Sequence, residues 1–320
     1  MTSVRTVIAW AAVLAVTAGG ATGVSAADAA RNDRTADSNA SALFLQENPQ
    51  AGLFRSASGR ITSVYGAAFS TGDNAIDAAQ WFVARHAEMF GVNPADLPNV
   101  NFTGDGRASI PLMFDHTTGT YKHTLVYFSQ HQDGIPVYSA DLRVLVRNEQ
   151  GSPVVLAKSA LRDLGGFTVP ADAQARLISQ AQVHKTARTA ARDMANFSNM
   201  DLVVWAGTDD MVVAPALAFV FSADNGREGM VGFDRRKFFV DALTGKLLHQ
   251  ESLIHHVDVS GTVRGMLTRN DVADICETEE STAMPYARVS IGATVAYADV
   301  NGNFTIPNLS LIHISEPTRL

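Results

Sequence analysis

Twice along this chain a helical stripe of apolar residues gives way to segments that alternate with period two, and that repeated switch limits the folds open to it. The first stripe is Ile76, Ala79, Val83 and Phe90, with Phe82 beside it. It predicts a helix from Ala75 to about Phe90, with Asp73 placed to cap it and Gly91 and Pro94 to stop it. From Ser109 the period becomes two. Ile110 to Phe114, Thr124 to Gln130, Ile135 to Arg147 and Val154 to Ala160 read as strands, turned by Thr118-Gly119, Asp133-Gly134 and Asn148-Glu149-Gln150-Gly151. After Pro170 the pattern repeats. Ala173, Leu177, Ala181, His184, Ala187 and Ala191 predict a helix from Ala173 to Met194. Leu202 to Trp205, Met211 to Phe221, Lys237 to Asp241 and Lys246 to His249 predict strands. A helix followed by antiparallel strands is the α+β arrangement. Two small helix-on-antiparallel-sheet domains are therefore expected, over 61–168 and 171–253.

The flanks differ from this centre. Residues 27–60 are rich in Ala, Asp, Asn and Ser and show no apolar period, which predicts a flexible leader. Beyond Val257 the helical period is lost. Val259 to Val263, Ala287 to Ile291, Thr294 to Tyr297 and Asn303 to Ile306 read as short strands of an incomplete β-sandwich over 257–308. About 50 residues make a weak core without disulfides or further strands.

Residues 1–26 have the form of a secretory signal: Arg5, an apolar run from Val7 to Val16, and Val24-Ser25-Ala26 before a cleavage between Ala26 and Ala27. The run is well short of the roughly 20 residues that cross a bilayer. A secreted product, extracellular or periplasmic, with no membrane attachment after cleavage, is the expectation. A formal net charge of -7 and the lack of a basic stripe argue against nucleic acid as a partner. Cys276 is the single cysteine. It is a free thiol, an intermolecular link, or half of a pair, and alone it excludes every cysteine-based zinc cluster.

Three stretches resemble known families. Gln130, Gly134-Ile135-Pro136-Val137, the alternating Leu142 to Val146 and the Gly151 hairpin resemble the fungalysin–thermolysin propeptide domain. Gln182 to Ala190, Pro215 to Phe219 and Phe239 to Leu247, with Asp241 and Gly245 framing a turn, resemble a PepSY-type domain, which follows the first in the same zymogens. Ser260 to Gly265, Pro285 to Ile291 and Ala298 to Ile306 are similar to the carboxypeptidase-regulatory-like β-sandwich. The resemblance implies the pro-region of a secreted zinc metalloprotease, a folding assistant and inhibitor. Its partner would be the cognate catalytic domain in cis, and zinc would belong to that missing domain alone. Leu309 to Arg319 resembles, codon by codon, the translation of a transposase-type sequencing adapter, so 309–320 is expected to be an adapter-derived tail that cut the message short.

Catalytic chemistry has no visible carrier. A thermolysin-type centre needs His-Glu-x-x-His on a helix, two imidazoles one turn apart with a general-base carboxylate, and none of the nine histidines begins that motif. His255-His256 could be argued as ligands, but adjacent strand residues face opposite ways, which favours a linker. Asp299 to Asn303 hints at a calcium loop, but the position that should hold Glu is Ser310. No catalytic, cofactor-binding or metal-ligating residue is therefore expected. Gln130, Gly134, Ile135, Pro136, Val137, Asp241 and Gly245 are expected to act structurally. The competing reading is an exported binding or protease-inhibitor protein built from the same modules.

Overall fold

The computed structural model describes residues 39–66, 68–102, 106–208, 210–228, 232–254, 256–268, 278–291 and 294–310. The Ala26–Ala27 cleavage pair, His255, Cys276 and residues 311–320 lie outside them.

The chain between Ala27 and Arg60 is not wholly a leader. Residues 39–47 form helix α1 and Gly52–Arg55 forms β1, which pairs antiparallel with β2, Ile61–Tyr65. Phe44, with Ala40 and the buried Ser41, holds α1 down. Phe44 is fully buried, its ring 5.3 Å from Phe69, 6.5 Å from Phe82 and 5.0 Å from His86. One large apolar side chain beside an alanine and a serine leaves no apolar period, which is why the sequence reads as featureless there.

The first apolar stripe folds into α2, Ala75–His86, and continues as a 3-10 turn over Ala87–Phe90. Its cap is Asn74, not Asp73: the Asn74 Oδ1 accepts from the N–H groups of Ile76 (2.9 Å) and Asp77 (3.1 Å). A capping oxygen must reach the second and third helical amides, and only the residue next to the helix does so. Gly91 ends the turn in the left-handed conformation at φ 78°. Ala78, Ala79, Phe82 and Val83 are buried in one core with Val126, Phe128, Leu142 and Val144. Those residues come from β4 (Thr120–Gln132) and β5 (Ile135–Arg147). β3 (Ser109–Asp115) and β6 (Val154–Ser159) flank that pair.

The second helix is broken where one continuous helix was expected. α3 (Ala173–Arg176) ends at Leu177, whose ψ is 131°, and α4 (Gln180–Ala190) starts afresh. Between them the Ile178 N–H donates to the C=O of Ala242 at 2.9 Å, leaving the helical ladder for the sheet. Ser179 and Gln182 then form a reciprocal capping box. α4 buries Val183 and Ala187 against Phe221, Phe238 and Val240. These lie on β9 (Val212–Asp224) and β10 (Arg235–Asp241). β8 (Asp201–Gly207) and β11 (Leu247–Ser252) stand on either side, and short β7 (Asn196–Phe197) pairs with β9.

Both sets of strands belong to one eleven-stranded sheet. Its path is β1-β2-β6-β5-β8-β9-β10-β11, with β3, β4 and β7 off it. The join is a parallel contact of β5 with β8 at Val137 and Val204, the one parallel pairing among the described strands. Both valines are buried, with Ala140, under Ile135, Leu164, Phe167 and Val169.

The remaining strands form two-stranded sheets: β12 (His256–Thr262) with β17 (Asn303–Ser310), β13 (Arg264–Leu267) with β14 (Glu280–Ala283), and β15 (Arg288–Ile291) with β16 (Thr294–Tyr297). Sequence alternation does not mark β13 or β14. β17 includes Leu309 and Ser310, which pair with Val257 and His256. Ala298 and Ile306 are the buried apolar residues among those described beyond Val257, whereas Met266, Tyr286, Tyr297 and Val300 are exposed. The described residues are thus of mixed helix and strand content, dominated by strand, with no closed barrel among them.

Candidate functional site

The residues singled out in the sequence fall into two turns. In the first, Asp133 (φ 51°) and Gly134 (φ 81°) both take left-handed backbone between the pairs Gln132–Ile135 and His131–Pro136. That is the two-residue hairpin whose twist matches its strands, and it tolerates Gly and Asp best. The Asp133 Oδ2 also accepts from the Val169 N–H at 2.8 Å, tying the hairpin to the segment between α2's lobe and α4's lobe. Ile135 and Val137 supply the apolar join to β8, with Pro136 between them. Gln130, 3% exposed, uses its amide as an added peptide unit. Its Nε2 donates to the Arg162 C=O (3.0 Å) and its Oε1 accepts from the Arg162 N–H (2.7 Å).

The second turn joins β10 to β11. The Asp241 Oδ1 accepts from the N–H groups of Leu243 (2.9 Å) and Thr244 (2.7 Å). Gly245 follows at φ 75°, and its C=O accepts from the Thr186 Oγ1 of α4 at 2.9 Å. Asp241→Ala leaves two turn amides unmatched and is expected to lower the unfolding free energy by roughly 2 kcal/mol. Gly245→Ala adds roughly 1 kcal/mol of left-handed strain. Urea unfolding measures both, and values near zero would remove the turn from the account. Ile135 beside the hairpin and Ala242 and Leu243 of the turn pack into one apolar cluster with Leu217 and Val169, so what the two turns share is architecture.

No family profile matches the chain, and no curated protein does. Among the solved structures that match, the Bacillus megaterium YpeB C-terminal domain aligns at 14% identity and a TM-score of 0.30 over 68% of this chain and 96% of that one. So distant a likeness assigns neither fold family nor function.

Three further features lay beyond the reach of sequence patterns. The first is an aromatic cluster on the face of the sheet opposite α4. Trp205, Phe239 and His249 stack there against Tyr138 of β5, and the Lys237 Nζ donates to the Tyr138 hydroxyl at 2.7 Å and meets Glu251 at 3.4 Å. The burial of Lys237 works against its charge, but the Tyr138 hydroxyl and Glu251 beside it outweigh that and hold its pKa above the usual value.

The second is a half-open cleft of about 410 Å³ between α1 and α2, lined by Leu43, Phe44, Glu47, Arg85, His86 and Glu88. His86, 6% exposed, packs among Phe44, Phe82 and Trp81. Burial pushes its pKa down, Glu47 pulls it up and Arg85 pushes it down again, with a net lowering. The unfolded chain therefore takes up this proton first as pH falls. Stability from His86 is complete above about 6.5 and declines as pH falls from there through the lowered folded value. His184 shifts the same way, through burial and then Arg188. His86→Phe is expected to flatten the fall of the thermal midpoint just below about pH 6.5, leaving there the slope that belongs to His184 and, further down, that of carboxylates with lowered pKa such as Asp115. An unchanged slope would show that α1 does not bury the ring.

The third is a groove of about 430 Å³ between α4 and the β10–β11 turn, lined by Gln182, Lys185, Thr186, Thr189, Ala190, Thr244, Gly245 and Leu247. Among the described residues no three His, Cys, Asp or Glu side chains stand close enough to hold a metal ion.

Proposed function

We propose that this chain is the pro-region of a secreted zinc metallopeptidase, a fold that templates and silences a catalytic domain joined to it. In this reading its architecture is α+β: a propeptide-like lobe, a PepSY-like lobe and the start of a β-sandwich. The observation that carries the reading is how the motif residues are used. Gln130, Gly134 to Val137, Asp241 and Gly245 serve as clamps, turns and joins, and among the described residues the sheet they build stops at strands paired on one side only, β1, β3, β7 and β11.

Such edges carry unmatched backbone groups that can accept a strand from a partner. A covalent link raises the effective concentration of that partner, so modest contacts suffice to guide folding. A secreted protease gains lifetime from a high unfolding barrier, and the same barrier slows unassisted folding. Zinc and the general base belong to the catalytic domain. Sequencing the locus beyond the codon for Asn308 tests the reading. An in-frame His-Glu-x-x-His is expected, and an open frame that lacks it would overturn the proposal.

A further inference from the structure

β11 is the terminal strand of the sheet, and the ladder fixes which of its backbone groups are spare. The Leu253 N–H donates to the Arg235 C=O at 2.8 Å. By alternation, Lys237–Glu251 and Phe239–His249 exchange bonds with β10, whereas Arg236–Ser252 and Phe238–Gln250 do not. The N–H and C=O groups of Gln250 and Ser252 therefore point out of the sheet. Among the described residues β11 pairs with β10 alone.

α4 makes a wall beside that edge. Val183 and Ala187 face the sheet, and on one flank His184 stacks on Phe197 of β7 at 4.1 Å with Arg188 over the same ring. Helical geometry puts Gln182, Lys185, Thr186 and Thr189 on the other flank, where they line the groove with Gly245 and Leu247. An edge strand beside a helix is the setting in which an extended peptide adds a strand: its backbone bonds the edge and alternate side chains meet the helix.

The charge of the groove narrows the occupant. Lys185 is the charged side chain in its lining, and Lys246 stands exposed in the adjoining turn. The nearby acids are engaged: Asp241 accepts two turn amides, and Glu251 meets Lys237. Gln250 lies on the α4 side of β11, and its buried Oε1 has no partner. We infer that β11 and α4 bind an extended peptide segment bearing a carboxylate, as an added strand with the acid at Lys185. The identity of the donor, a segment of the catalytic domain, rests on the pro-region reading; the groove does not.

The test is to pan displayed random octapeptides against the full chain and measure the enriched peptides by fluorescence anisotropy. The expected consensus alternates β-branched or aromatic residues and carries Asp or Glu. Gln250→Pro removes an outward N–H without removing a bond to β10, and is expected to weaken binding at least tenfold. Lys185→Glu is expected to do the same and to restore binding when the peptide's acid becomes lysine. Amide shifts on the unaltered chain are expected at Gln250, Ser252 and the Lys185 flank, which covers a Gln250→Pro chain that fails to fold. No enrichment, an acid-free consensus, or shifts elsewhere would overturn the inference. Peptide binding with no metallopeptidase in the locus keeps the groove and removes the pro-region reading; inhibition indifferent to Lys185→Glu and Gln250→Pro does the reverse.

Discussion

Phe239→Ala is expected to lower the unfolding free energy by roughly 3–5 kcal/mol, the largest effect of any single truncation considered. Phe239 is fully buried on the face of the sheet away from α4, with its ring 4.0 Å from Trp205, 4.9 Å from Tyr138 and 5.5 Å from His249. Those neighbours come from β8, β5 and β11, so the hole left by the ring is walled by strands from both halves of the sheet. Backbone ladders hold those strands, and the walls cannot close over the gap. The cost therefore sits near the top of the range for aromatic truncation. Urea unfolding followed by Trp fluorescence reads the effect directly, because Trp205 borders the cavity. A loss below about 1 kcal/mol would mean that β5 and β10 do not share a core here.

Gln130→Ala is expected to cost roughly 2–4 kcal/mol, because both Arg162 backbone groups lose their partner inside the protein. The stronger test is Gln130→Glu. At neutral pH a carboxylate still accepts from the Arg162 N–H but faces the Arg162 C=O with no proton to donate. Burial and that carbonyl raise its folded pKa above the ordinary value near 4.3. The unfolded chain then holds fewer protons than the folded one between the two values, so the penalty shrinks as pH falls toward the unfolded value. A Gln130→Glu chain whose deficit against the parent is the same at pH 7 and pH 5 would contradict the clamp.

Local chemistry was legible where one stretch of sequence contains the whole cause. The Asp133-Gly134 hairpin is such a case, because both left-handed residues are adjacent and the flanking strands alternate. So is the Asp241 to Gly245 turn. The α2 stripe was readable, and the cap was misplaced by one residue because Asp73 and Asn74 are both good capping types. Ser179 is a good cap inside a continuous apolar stripe, and what breaks the helix before it is a bond from Ile178 to Ala242, far along the chain. The β5–β8 join and the Tyr138–Lys237 contact are likewise matters of tertiary placement. α1 depends on Phe44 finding a pocket made by α2, and isolated helices this short are marginal in water. The groove beside β11 was invisible for the same reason: it exists only once α4 lies across β10.

The central claim is that this fold acts on a metallopeptidase domain and performs no hydrolysis itself. Casein hydrolysis by the catalytic domain encoded with this chain, followed while the purified full chain is added in trans, tests it most directly. The account predicts that activity falls to baseline near one equivalent and that the chain alone releases no peptides. Undiminished hydrolysis at many equivalents, or chelator-sensitive digestion by the chain alone, would contradict it.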